Sequence, residues 1–304
     1  MISPAKFLRR WLAAAALASH LAVSPAVAEV SVTDDIGTLV RLAQPATRIV
    51  SLAPHMTETL FAAGAGQRII GTVEYSDYPE AAKRIARVGG YSRVDLEAVA
   101  ALKPDLIVAW QSGNSAAHVD KLRALGIPVY TSQPNRIEDV ASELERLGIL
   151  AGSSTVGKTA ATQFRERLSG LQQRYSARPP VRTFYQIWKQ PLMTIGGKQI
   201  ISDVVRLCGG ENVFASLTTM APTVSVEAVM AANPEVIVAS GMNDSRPEWL
   251  DDWKRWASIS AVARDNLFFV PPELIQRHTP RLLDGAERLC QHLETARSRR
   301  PPKT

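Results

Sequence analysis

Apolar residues in this chain come in short dense runs, and the runs alternate with stretches of helical spacing. RIVSL (Arg48 to Leu52), RIIGTV (Arg68 to Val73), DLIVA (Asp105 to Ala109) and IPVYTS (Ile127 to Ser132) are brief and aliphatic. They read as buried strands. Met56 to Ala63, LEAVAAL (Leu96 to Leu102) and HVDKLRAL (His118 to Leu125) read as the helices between them. Strands alternating with helices at short spacing predict a parallel sheet covered on both faces.

The pattern then changes. RIEDVASELERLGILAG and TAATQFRERLSGLQQRY predict two consecutive helices with little strand content, the second stopped by Pro179-Pro180. From VRTFYQIW the alternation resumes through ISDVVRLCGG, VEAVMAA, EVIVAS, a helix near Trp249 to Trp256, NLFFV and a last helix from about Pro280 to Ala296. The expected fold class is α/β: two Rossmann-like lobes with parallel sheets, joined by a long backbone helix. The lobes are expected at residues 29–151 and 181–296, the linker helix within 152–180, and a frayed basic tail at 297–304.

One helix-strand unit occurs twice. DLEAVAALKPDLIVA (Asp95 to Ala109) returns 130 positions later as SVEAVMAANPEVIVA (Ser225 to Ala239), with eight of fifteen residues identical. Each copy opens on a natural N-cap, Asp95 or Ser225, and stops its helix at a Pro. A similar core in each lobe explains the shared apolar positions. It does not explain a glutamate at the same place in both, Glu97 and Glu227.

The first 28 residues stand apart. Lys6, Arg9 and Arg10 precede an apolar stretch, and Ala26-Val27-Ala28 supplies small residues for cleavage. This predicts a secretory signal peptide; the apolar run is too short to span a bilayer. Without it, 32 Lys+Arg face 29 Asp+Glu, a net charge of +3, partly in the tail. So small an excess gives no nucleic-acid reading. The mature chain is expected to be soluble, exported and monomeric, without a cofactor of its own. Two cysteines, Cys208 and Cys290, in an exported chain suggest a disulfide; two buried thiols are the alternative.

Some motifs fail on context. GSSTVGKT (Gly152 to Thr159) fits the phosphate-loop pattern, but the segment before it is an amphipathic helix rather than a strand. It reads as a helix-to-helix turn capped by Thr155. Gly64-Ala65-Gly66 likewise follows a helix and reads as its stop. The mature histidines, His55, His118, His278 and His292, show no ligand spacing. His55, after a strand and Pro54, is the one candidate metal or axial ligand. No nucleophile elbow is present, so catalytic residues are not assigned.

Aromatics are only 6% of residues, which makes their placement informative. Tyr75 and Tyr78 lie just past the second predicted strand, Tyr91 before the first repeat helix, Trp110 at the end of the third strand, and Trp188 after the strand that follows the linker. Ligands of parallel α/β sheets gather at the carboxyl ends of strands. Aromatics at such ends in both lobes would line a cleft for a large, flat, partly apolar ligand. Trp249, Trp253 and Trp256 have helical spacing and read as packing.

The runs RIVSLAPHMTETLFAAG, EYSDYPEAA, LEAVAALKPDLIVAWQSGN, LCGGENVF and QRHTPR make the sequence recognisable. It resembles the periplasmic cobalamin-binding proteins of bacterial ABC importers over nearly all of the mature chain. The resemblance implies capture of cobalamin or a related corrinoid between the lobes, in the periplasm, with no reaction. It puts Tyr75 and the run Glu273, Leu274, Ile275, Gln276 and Arg277 on the ligand, and Tyr91 and Trp110 where that family has cleft tryptophans. It also implies a Cys208–Cys290 disulfide. Glu97 and Glu227 would sit at the lobe tips and meet arginine pockets on a permease dimer coupled to a cytoplasmic ATPase. Ala221 stands where the family has a tryptophan, and Trp188 is an addition that would compensate. A ferric siderophore or haem receptor, or an exported enzyme on the same scaffold, are the alternatives.

Overall fold

The computed structural model describes residues 29–241 and 245–302; the expected signal peptide lies outside them. In chain order the elements are β1 (Val30–Thr33), β2 (Leu39–Leu42), β3 (Ile49–Ser51), α1 (Pro54–Ala62), β4 (Ile69–Thr72), α2 (Leu96–Ala101), β5 (Leu106–Trp110), α3 (Ala116–Ala124), β6 (Val129–Ser132), α4 (Ile137–Leu150) and α5 (Ser154–Tyr175). Then come β7 (Val181–Gln186), α6 (Ile200–Leu207), β8 (Gly210–Asn212), α7 (Val226–Ala232), β9 (Val236–Ala239), α8 (Ser260–Ala263), β10 (Leu267–Phe269), α9 (Pro272–Ile275) and α10 (Leu282–Ser298). The segment Glu248–Arg255 is 3-10 helix rather than α-helix.

Both sheets are parallel, and they share one topology. The first has strand order β4-β3-β5-β6 and the second β10-β9-β7-β8. In each lobe the second strand lies on one side of the first, and the third and fourth lie on the other. The repeated sequence falls on α2–β5 and α7–β9, equivalent steps of the two lobes. Each central strand is buried on both faces. In β5, Leu106 and Val108 join the core shared with α4 and α5, while Ile107 and Ala109 join a separate outer core with Val99 and Leu122. In β9, Val236 and Val238 face the shared core, while Ile237 and Ala239 pack in a third cluster with Phe184 and Trp253.

The strut between the lobes is α5, 22 residues long, or about 33 Å. Its Gly157, Ala161, Phe164, Leu168 and Leu171 form one buried stripe at helical spacing. α4 crosses it closely where glycines meet: a Cβ on Gly157 would lie 2.5 Å from the Leu144 carbonyl oxygen, and one on Gly148 would lie 3.2 Å from the Gly157 Cα. The phosphate-loop pattern therefore spans a helix-to-helix turn, as its context predicted. Thr155 lies within α5 and is not its cap; Ser153 holds that position, and its hydroxyl donates to the Ala63 carbonyl at 2.7 Å.

Three local features go beyond the expectations. The residues after the leader form a hairpin, β1–β2, whose turn closes on Asp34: Oδ1 accepts from the Ile36 and Thr38 amides. Asp34 Oδ2 accepts from the Thr131 amide, and Asp35 pairs with Arg146, which fastens the hairpin to the first lobe. The tail expected to fray from residue 297 is pinned through Arg300. Arg297 donates to the carbonyls of Pro179, Cys208 and Gly209, and Arg300 pairs with Glu235. As expected from the sequence, Cys208 and Cys290 are bonded across 82 positions, which ties α6 to α10. Beside the strut, Asp203 of α6 accepts from the Ile137 amide at the start of α4, a tie from one lobe to the other at 2.9 Å.

Candidate functional site

Because the first strand of each sheet has neighbours reached in opposite directions, each lobe has a topological switch point at the carboxyl end of its central strands, where α/β sheets bind ligands. In the first lobe this point lies between β3 and β5. β3 delivers Pro54 and His55 into α1, and β5 ends on Trp110. Asn114 organises the corner. Its Oδ1 accepts from the Trp110 amide at 2.6 Å, and its Nδ2 donates to the carbonyls of Leu52 at 2.9 Å and Tyr91 at 2.7 Å. One buried amide thus holds three loops in register. As a result Tyr91 and Trp110 stand together, ring centroids 5.8 Å apart.

Tyr75 follows β4 and projects into solvent, 66% exposed, with φ of +63°. That left-handed backbone is costly for an aromatic residue and concentrates at functional sites. Its carbonyl accepts from Arg277 Nη2 at 3.1 Å, and Arg277 Nη1 bonds Asp77 at 2.6 Å. The structure therefore brings Tyr75 of the first lobe beside Arg277 of the second. Arg281 reinforces this seam. It makes a bidentate pair with the buried Glu58, both bonds 2.7 Å, and its guanidinium lies 3.8 Å over the Tyr78 ring.

The rest of the predicted run divides. Glu273 is half-buried in the first turn of α9, and Gln276 donates to the Ser240 carbonyl at the end of β9. Leu274 and Ile275 are buried; Ile275 joins the shared core, and Gly285 of α10 lies close against the backbone of Leu274 and the Cβ of Ile275. Trp188 follows β7 and is exposed, its Nε1 donating to the Gln190 carbonyl. Among the described residues no ring contact joins it to Tyr91 or Trp110. Trp253, read as packing, is buried and donates to Gln186.

The seam also holds two histidines. His55 and His278, one from each lobe, have ring centroids 5.5 Å apart, and His55 packs edge-on against Trp110 at 5.0 Å. Burial, then the charges of His278 and Arg277, hold the His55 imidazole well below its ordinary pKa; burial brings His278 down to about 4. Both are neutral at physiological pH. Among the described residues no group of three or more His, Cys, Asp or Glu could hold a metal ion. His278 and Asn114 were given no site role in the sequence. Both lie inside runs that carry the resemblance, QRHTPR and the end of LEAVAALKPDLIVAWQSGN, and His278 is one residue past the predicted run; that was the available signal.

Glu97 and Glu227 are both exposed, each in the first turn of its repeat helix. The caps are as expected: Asp95 accepts from the Ala98 amide and Ser225 from the Ala228 amide. Both helices run antiparallel to the strands they precede, so each glutamate lies toward the carboxyl edge of its sheet. The Glu227 carboxyl is held low by backbone and Ser225 hydrogen bonds.

A profile of the periplasmic binding protein family matches residues 49–274. The vitamin B12-binding protein of Vibrio campbellii is 39% identical over 256 residues, 84% of this chain and 92% of that protein. That of Yersinia pestis is 40% identical over 258 residues, 85% of this chain and 90% of that protein. The crystal structure of the periplasmic vitamin B12 binding protein of Vibrio cholerae superposes with a TM-score of 0.78 at 38% identity, covering 83% of this chain and 98% of that one. A periplasmic heme binding protein from Pseudomonas aeruginosa shares the fold, with a TM-score of 0.71 at 24% identity, 85% of this chain and 96% of that one. On the match over most of its length, this chain belongs to the periplasmic binding protein family.

Proposed function

We propose that this protein captures a corrinoid, cobalamin or a close relative, between its two lobes in the periplasm and delivers it to the permease of an ABC importer. The observation that carries the reading is the near-full-length similarity to vitamin B12-binding proteins at about 39% identity. The seam supports it. Tyr75, Tyr91 and Trp110 supply aromatic faces for a flat macrocycle, and Arg277 and Gln276 supply donors for amide arms. Trp188, exposed at the end of β7, would close the second wall. Glu97 and Glu227 would each meet an arginine of a two-subunit permease, since carboxylate–guanidinium pairs fix orientation as well as attraction. The protein would hold its cargo without changing it.

Calorimetric titration with cyanocobalamin tests the reading: saturable one-to-one binding is expected, weakened on the order of tenfold in Tyr75→Ala, the loss of about 1.4 kcal/mol that one aromatic contact supplies. Absence of binding to the wild-type protein, with haem or a ferric siderophore bound instead, would replace the ligand class.

A further inference from the structure

The loop that carries Tyr75 is fastened from beneath by a cluster of hydroxyls that the proposed function leaves unexplained. Thr57 Oγ1 of α1 lies 2.6 Å from Thr72 Oγ1 at the end of β4 and 2.9 Å from Ser51 Oγ at the end of β3. Thr72 Oγ1 is bonded in turn to Ser76 Oγ at 2.8 Å. All four residues are fully buried. The cluster therefore joins two strand ends, a helix and a loop at the carboxyl edge of the first sheet.

Ser76 is where the cluster meets the loop, and its polar groups are all engaged within the first lobe. Its amide donates to the Val73 carbonyl at 3.3 Å, its carbonyl accepts from Arg87 Nη2 at 2.9 Å, and its hydroxyl is bonded to Thr72. The residues on either side face outward. Tyr75 projects into solvent, and Asp77 reaches Arg277 of the second lobe. A left-handed backbone such as that of Tyr75 persists only where its surroundings over-determine it. From the inside, Ser76 supplies that constraint. Apolar side chains would fill the space without selecting one arrangement of the loop; a bonded hydroxyl cluster selects one.

We infer that Ser76, backed by Thr72 and Thr57, is a positioning residue for the proposed capture: it presets the Tyr75 ring in the pose that meets a flat guest. The inference rests on the corrinoid reading above and on Tyr75 as one of its contacts. A ring on a loose loop must be ordered by the guest, which weakens binding; a ring fixed by the folded chain has lost that freedom beforehand. Arg277 holds the Tyr75 carbonyl from the other lobe. The hydroxyl cluster lies wholly within the first lobe, so it keeps the ring in place whether or not the Arg277 contact is made.

The test is a double-mutant cycle read by calorimetric titration with cyanocobalamin on full-length mature protein, with thermal unfolding as the check on folding. Ser76→Ala and Thr57→Val are each expected to weaken binding about fivefold, while Thr57→Ser, which restores the hydroxyl, stays within about twofold of wild type. In a Tyr75→Ala background the same two substitutions should change affinity by less than about twofold, because a residue that acts through Tyr75 has nothing left to position. Ser76→Ala removes one hydroxyl at the end of the cluster and carries the comparison alone should Thr57→Val fail to fold. No loss in the single variants, or an equal loss with Tyr75 already removed, overturns the positioning role and leaves corrinoid capture intact. Wild type that binds no corrinoid overturns the capture reading itself, and this inference with it.

Discussion

Glu143 shows how much one side chain can set. It lies on α4 with no exposed surface, and burial, then the charge of Asp35, push its carboxyl up to about 8. Because the folded value lies above the ordinary one of 4.5, its contribution to stability is complete below about pH 4.5 and is lost as pH rises toward about 8. Linkage puts that loss on the order of 3–5 kcal/mol. Glu143→Gln keeps the volume and removes the titration. Chemical denaturation of the variant should give stability nearly level from pH 5 to 8, against a decline in wild type, so that the variant is the more stable at pH 8. The sequence could not announce this residue, since Glu143 occurs in an amphipathic pattern that tolerates a polar position. The site aromatics were legible for the opposite reason: Trp110 ends an apolar strand, where a large ring has little reason to be. His278 and Asn114 carry no spacing, and only the fold shows that they reach across loops.

At the scale of elements, most of the architecture was written in apolar spacing. The central strands β5 and β9 are buried on two faces and so appear as short unbroken aliphatic runs. The repeated α–β unit was recognisable because equivalent steps of the two lobes solve one packing problem with the same small residues. The β1–β2 hairpin escaped notice because its strands alternate over only four residues each, and its turn depends on Asp34 bonds that leave no periodic trace. The disulfide joins two helices of the second lobe across 82 positions. Closing a loop of that length in the unfolded chain is worth about 4 kcal/mol. The Cys208→Ser, Cys290→Ser double variant should therefore lose close to that amount in urea unfolding under oxidising conditions, while the first lobe's near-ultraviolet signal from Trp110 is retained in the native state.

On the scale of the molecule, the pairing of like with like is the organising fact. Two sheets of one topology stand on one strut, and the glutamates sit at matching corners. Corners that match suit a partner made of two matching subunits. Reversing both charges, Glu97→Arg with Glu227→Arg, is expected to abolish corrinoid uptake through the reconstituted importer while calorimetric affinity for the corrinoid stays within about twofold, since rim charges act on association with the partner. Equal uptake by the double variant would detach these residues from docking.

Among the ties between the lobes are Asp203 to Ile137 beside the strut, and Arg281 to Glu58 and Arg277 to Asp77 near the cleft. A vice screwed down at several points has little slack. Jaws so held are expected to take in a guest with little rearrangement, and a large closure seen by small-angle scattering on adding corrinoid would contradict this. Letting go would then be the hard step, and on the proposed reading the work of prying the jaws apart would fall to the importer.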